Sequence, residues 1–155
     1  MNHSLKIGFS FGTTSGIITT LGLIVGLTAS DASKAVIIGG VLTIAFADAF
    51  SDALGIHTSE ESENTHSERE IWISTFATYF TKLIIALTFL FPLIFLSSTV
   101  ALIVSIVWAI LLLTILNYII SPKEKKWQII FEHLLISLVV IIFGFIIGQY
   151  IRSVF

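Results

Sequence analysis

The chain has 155 residues, of which 55% are hydrophobic and only 12% are charged. Since soluble domains average about 25% charged residues, this composition favours an integral membrane protein, and a net charge of −2 argues against a nucleic-acid partner. The lack of cysteine excludes disulfides, zinc sites built on thiolates and iron–sulfur clusters.

Five segments are long and apolar enough to cross a bilayer, since a spanning helix needs about 20 mostly apolar residues. In chain order they are 6–27, 34–56, 71–96, 99–120 and 127–151. We therefore expect an all-α integral membrane protein with five transmembrane helices in a single domain, 1–155. A β-barrel would need short segments of alternating polarity, and the glycines and threonines of the first segment favour a packed helix over a signal peptide.

Basic residues are divided unequally between the two sides of such a bundle. One side carries five of them and the opposite side carries two, Lys34 and Arg152. Because cytoplasmic loops carry the excess of Lys and Arg, we expect a cytoplasmic N-terminus. The five are Lys6, Arg69, Lys123, Lys125 and Lys126.

Two aspartates, Asp48 and Asp52, lie within the second apolar segment. A carboxylate at membrane depth costs roughly 2.5–3.5 kcal/mol, and residues four apart share one helix face. At a rise of 1.5 Å per residue, Asp52 lies about 6 Å and Asp48 about 12 Å inside the cytoplasmic end, and Lys82 roughly 15–18 Å inside. Carboxylates are ligands for divalent metal ions, so the pair is a candidate metal site. A structural ion pair between Asp48 and Lys82 is the alternative.

Further polar residues lie in the same half of the bilayer or at its mouth. Glu132 and His133 enter with the fifth helix and could relay protons or lie at the interface. The acidic loop 57–70 is either a solvated, flexible linker or, in part, an extension of the second helix into the cytosol. In the second case Glu60, Glu61 and Glu63 attract cations to the path and are candidate metal ligands.

Small residues recur every four positions in the first helix, at Gly8, Gly12 and Gly16. Such faces let two helices approach closely. The partner helix belongs either to the same chain or to a second copy.

The stretch from Ser10 to Gly26, Ser-Phe-Gly-Thr-Thr-Ser-Gly-Ile-Ile-Thr-Thr-Leu-Gly-Leu-Ile-Val-Gly, resembles the first helix of the vacuolar iron transporter (VIT) family. The following Gly39-Gly40 helix is similar to the family's second helix, and it ends in Leu54-Gly55 and a Ser-Glu-Glu-Ser-Glu run. The resemblance covers about the first 63 residues. It implies a five-span homodimer with an inward N-terminus that transports iron or manganese.

The sequence departs from that family at the positions expected to contact metal. Ser15 stands where the family usually has Asp, Thr43 where it has Glu, and Ser51 on or next to the position of a Met. Asp48 and Asp52 could replace these ligands. The family's long cytoplasmic metal-binding helices are missing, because the loop stops shortly after Glu63.

The sequence thus predicts a divergent VIT-like homodimer that moves a divalent cation, Fe²⁺ or Mn²⁺, out of the cytoplasm, with proton exchange as a further hypothesis. We expect no enzymatic activity and no cofactor, and a prokaryotic cell membrane rather than a vacuolar one. A non-transporting membrane scaffold with a structural Asp–Lys pair is the alternative. Beyond the five acidic metal ligands, the predicted path comprises Ser15, Thr19, Thr43, Ser51, Lys82, Glu132 and His133.

Overall fold

The computed structural model describes residues 3–155, which form six α-helices. Their bounds are α1 His3–Ala29, α2 Lys34–Glu63, α3 Glu68–Thr88, α4 Leu90–Phe95, α5 Ser98–Ile120 and α6 Lys126–Val154. Because α3 and α4 form one continuous span, Glu68–Phe95, five helical segments are long and apolar enough to cross a membrane. The predicted all-α class with five candidate spans is confirmed.

The second helix runs further than the predicted span. It continues to Glu63 and ends where Asn64 adopts a left-handed conformation with φ of 50°, so the first half of segment 57–70 is helical. No glycine or proline interrupts residues 56–63, and glutamate is a good helix former. The third helix then begins at a capping box, in which the Ser67 backbone N–H and hydroxyl donate to Glu70 Oε2 at 3.0 and 2.7 Å.

Within the third span the helix is interrupted only at Phe89, and the short α4 that follows carries Pro92, which lacks a backbone N–H. Lys34, at the start of α2, donates from Nζ to the carbonyls of Ile94 and Leu96 at 2.8 and 3.0 Å. These carbonyls have no partner within the helix. The lysine therefore satisfies the end of α4 and ties it to the start of α2.

The first helix is the centre of the bundle, since it contacts α2, α3, α5 and α6. Its side chains Ile17, Leu21 and Ile24 are fully buried and form the core together with Ile37 and Val41 of α2. Large apolar side chains are exposed around the outside, above all on α5 and α6. An exposed apolar surface of this extent is stable only against another apolar phase, which a bilayer supplies.

Glycines bring the backbone of α1 into direct contact with that of α3. A Cβ added at Gly12 would lie 2.6 Å from the Thr78 carbonyl oxygen, and one at Gly16 would lie 3.1 Å from that of Lys82. The small-residue face of the first helix therefore packs against a helix of the same chain. This contact fixes the backbone of Lys82.

We predict that Gly12→Ala lowers the free energy of unfolding by about 1–3 kcal/mol, since the added methyl group meets backbone that cannot move aside. Gly26→Ala is the matched control on the same helix, because a Cβ there makes only an ordinary contact, 3.6 Å from the Gly144 carbonyl oxygen, and alanine favours a helix by up to about 1 kcal/mol. Denaturant unfolding in detergent, followed by circular dichroism, measures both. Equal destabilisation by the two substitutions would contradict the backbone contact.

Candidate functional site

A cluster of charged groups joins three helices at Lys82. Its Nζ lies 2.5 Å from Oδ2 of Asp48 and 2.5 Å from Oδ2 of Asp52, and it donates to the Ser15 hydroxyl at 3.0 Å. The Ser15 hydroxyl in turn donates to Asp52 Oδ2 at 2.5 Å. We call these four residues, Ser15, Asp48, Asp52 and Lys82, the Lys82 cluster.

The cluster is buried unevenly. The Lys82 side chain is 2% exposed, whereas the side chains of Asp48 and Asp52 are 33% and 20% exposed. The ammonium is thus enclosed by protein, and the carboxylates retain an open side. With both carboxylates ionised, the cluster carries two negative charges and one positive charge. Within residues 3–155, no other Lys, Arg or His nitrogen lies within 4.0 Å of either carboxylate.

The local sequence explains how the three helices meet at this point. Asp48 and Asp52 are one helical turn apart and project on one side of α2. Lys82 reaches them from α3, whose backbone is held against α1 by Gly12 and Gly16. The cluster therefore depends on small residues of α1 as much as on the charges themselves.

The sequence suggested a pair between Asp48 and Lys82, but it placed Asp52 and Lys82 at clearly different depths. The structure brings both aspartates to one ammonium. Depths counted from Cα positions omit the flexible four-carbon stem of lysine, which carries the charge away from its own backbone. The sequence also gave no sign that Ser15 would bond to both partners.

The other predicted hydroxyls of the path lie outside the Lys82 cluster. Thr19 donates to the carbonyl of Ser15 and Thr43 to that of Gly39, each at 2.8 Å and each within its own helix. Ser51 is exposed on α2. These hydroxyls face outward from the single chain.

Glu132 and His133 belong to a different region. Gln128 donates to Glu132 Oε1 at 2.9 Å on the same exposed face of α6. His133 Nδ1 lies 2.8 Å from the carbonyl oxygen of Ile129, which can only accept a hydrogen bond. The His133 ring also lines an open cavity of about 460 Å³ between α6, α1 and α5. The amide-bearing residue Asn117 lines the same cavity.

The three glutamates at the end of α2 differ in their surroundings. Glu60 is 6% exposed, and its Oε2 lies 3.0 Å from His66 Nδ1. That contact is close enough for an ion pair, although it does not satisfy hydrogen-bond geometry. Glu61 and Glu63 are exposed. The sequence grouped all three as cation ligands and missed the Glu60–His66 contact, because a loop of unknown shape gives no spacing rule.

The side chains that could hold a metal ion are few. Within the described residues, 3–155, no group of three or more His, Asp or Glu side chains is placed to hold a metal ion. The Lys82 cluster offers two carboxylates and one hydroxyl. Such a donor set suits transient binding of a hard cation more than a permanent structural metal.

Among the comparisons with known proteins, one family model matches part of this chain. The VIT family model matches residues 9–74, which is less than half of the chain. This match supports membership of the chain in the VIT family. No curated protein and no solved structure matches. The chain is thus similar to the VIT family from the first helix to the start of α3.

The match divides the Lys82 cluster. Ser15, Asp48 and Asp52 lie within the segment that resembles the VIT family, and Lys82 lies beyond its end at residue 74. The ammonium therefore comes from a part of the chain to which the family match does not extend.

We predict that Lys82→Met lowers the free energy of unfolding by about 3–5 kcal/mol, because it leaves two partly buried carboxylates without a counter-charge. The triple substitution Lys82→Met/Asp48→Asn/Asp52→Asn should recover most of that loss. Lys123→Met, at an exposed loop lysine, is the control and should change stability little. The same loss of stability in the single and triple variants would show that the charges are not coupled.

Proposed function

We propose that this protein transports a divalent metal cation, Fe²⁺ or Mn²⁺, out of the cytoplasm, and that Asp48 and Asp52 bind the ion during passage. The observation that carries the proposal is the Lys82 cluster, in which two carboxylates share one ammonium between three helices and keep an open side. Ionisable groups within membrane spans usually mark ion pathways. Family membership supports the same reading.

The donor atoms support the choice of ion class. The cluster presents carboxylate and hydroxyl oxygens to a cation, and such oxygens suit hard ions such as Mn²⁺. The chain has no cysteine and a single methionine, Met1, so soft sulfur ligands are not available inside the spans. A soft ion such as Cu⁺ is therefore a poor candidate.

The proposed orientation follows from the unequal distribution of Lys and Arg, which favours a cytoplasmic N-terminus. In that orientation the exposed Glu61 and Glu63 lie at the cytoplasmic mouth and attract cations.

We place the protein in a prokaryotic cell membrane. Exchange against protons is part of the proposal, because carboxylates and imidazoles within membrane spans can form proton relays and the spans carry Asp48, Asp52, Glu132 and His133. If the rate of metal transport into proteoliposomes does not change with an imposed pH gradient, proton exchange is refuted.

A second copy of the chain is the partner we propose for α2. Its outer face carries small residues at every fourth position, all of them exposed, and a Cβ at Gly39 or Gly55 would meet nothing within 4 Å. Faces of this kind pack helices closely in membranes. In the homodimer Thr19, Thr43 and Ser51 would line the path beside the aspartates. The stripe consists of Gly39, Thr43, Ala47, Ser51 and Gly55.

We predict that Ala47→Leu weakens the dimer, since the added side chain keeps two α2 helices apart. Val139→Leu, at an exposed position of α6, is the matched control and should leave the dimer intact. Light scattering of the detergent-solubilised protein across a dilution series measures the change. A monomeric parent protein, or equal behaviour of the two variants, would refute this interface.

The alternative function is a non-transporting membrane scaffold. The specific observation in its favour is that Lys82 already neutralises one carboxylate and contacts both, as a purely structural ion pair would. In that case divalent cations should not change the melting temperature of the parent protein, although Lys82 and the aspartates remain coupled in stability.

Metal flux into proteoliposomes tests the transport proposal. We predict flux of Mn²⁺ or Fe²⁺ by the intact protein and loss of that flux in Asp48→Asn/Asp52→Asn, because the neutral amides remove the ion's charge partners. Glu124→Gln, at an exposed position between α5 and α6, is the control and should retain full flux. If no divalent ion moves while the protein is folded, the scaffold function replaces the transporter.

A further inference from the structure

We propose that the Lys82 ammonium is a resident cation which a transported divalent ion must displace from Asp48 and Asp52. This inference rests on the proposed function of the aspartates as the ion site, and it adds a control on that site. The displacement is an exchange of one cation for another at the same oxygens. It requires movement of the lysine side chain and no change in its protonation.

The first support is the position of the ammonium. Three oxygen atoms surround the Lys82 ammonium: Oδ2 of Asp48, Oδ2 of Asp52 and Oγ of Ser15, at 2.5, 2.5 and 3.0 Å from Nζ. Asp52 and Ser15 accept hydrogen bonds from it, and Asp48 contacts it as an ion pair. A metal ion bound by the same two Oδ2 atoms would occupy the place that Nζ now holds. The two cations cannot share it.

The second support is charge balance. Two ionised carboxylates balance one divalent ion, whereas a divalent ion together with the ammonium would leave one excess positive charge inside the bundle. No other carboxylate among residues 3–155 lies within 4.0 Å of Lys82 Nζ to absorb that charge. Uncompensated charge in a poorly solvated site is costly. The metal-bound state is therefore favoured only when the ammonium leaves the bundle, and the four-carbon stem of lysine can carry it toward the membrane–water interface.

The third support concerns what can move. Gly12 and Gly16 of α1 hold the backbone of Lys82 in close contact, so α3 cannot shift there without unpacking α1. The lysine side chain has flexible single bonds along its stem. The side chains of Asp48 and Asp52 stay partly exposed, unlike the enclosed ammonium, so an arriving ion can reach them. Exchange is thus confined to one side chain.

The experiment measures Mn²⁺ binding to the purified, membrane-reconstituted protein by titration calorimetry. If the ammonium occupies the site about nine-tenths of the time or more, its removal should tighten the apparent affinity about tenfold or more. We therefore expect Lys82→Met to bind Mn²⁺ at least about tenfold more tightly than the parent protein. Lys82→Arg, which keeps a positive charge at the site, should show no such gain.

The control for location is the triple variant Lys82→Met/Asp48→Asn/Asp52→Asn, which should lose the gained affinity. Binding by Lys82→Met that is no tighter than in the parent protein would overturn the inference, and so would a gain that persists in the triple variant. If Lys82→Met folds only with Mn²⁺ present, while the triple variant folds without it, the metal has replaced the ammonium. A variant that stays unfolded at all Mn²⁺ concentrations, beside a folded triple variant, refutes the exchange.

Displacement of the ammonium and transport of the metal can be tested independently of each other. Flux that depends on the aspartates, combined with unchanged affinity in Lys82→Met, would keep the transporter and refute the displacement. Tight Mn²⁺ binding by Lys82→Met, combined with no flux in the parent protein, would support the displacement and refute transport. In the second case Mn²⁺ displaces the ammonium at the aspartates but does not pass through the bundle.

Discussion

The sharing of one ammonium by two carboxylates is the interaction on which the rest of this protein depends. Lys82 joins α3 to Asp48 and Asp52 of α2 and to Ser15 of α1. Each carboxylate would be costly at membrane depth without a counter-charge, and removing one partner of a buried pair leaves the other unpaired. The same contact therefore holds three helices together and places a cation at the two carboxylates that an ion path would use.

This electrostatic contact is possible only because the helices approach one another closely. Gly12 and Gly16 remove the side chains that would separate α1 from the backbone of α3 at Lys82. Packing of small residues and neutralisation of charge thus support each other, since neither would bring the ammonium to the aspartates alone. The VIT family match runs from residue 9 in α1 to residue 74 in α3, and so ends before Lys82. The two aspartates thus lie in the segment that resembles the VIT family, and their counter-ion lies in the part of α3 beyond it.

Much of the fold follows from the sequence, because continuous apolar segments of spanning length leave few alternatives in a bilayer. Contacts that depend on how far a side chain reaches do not follow from the sequence in this way. Asp52 and Lys82 were predicted at different depths, and the flexible stem of lysine removes that difference. The partner of Glu60 was missed because His66 lies beyond the end of α2, where helical periodicity no longer relates sequence spacing to distance. The neighbours of His133 were not predicted either: its ring lies beside α1 and α5, since hydropathy does not reveal which helices are neighbours.

The most direct test of this account is an experimental structure of the protein in lipid nanodiscs, determined with and without Mn²⁺. The account predicts that Lys82 bridges Asp48 and Asp52 without the metal. With Mn²⁺ it predicts density for the ion between the two carboxylates and a Lys82 side chain that has withdrawn from them. A saturating metal that binds elsewhere while the ammonium stays between the aspartates would contradict it.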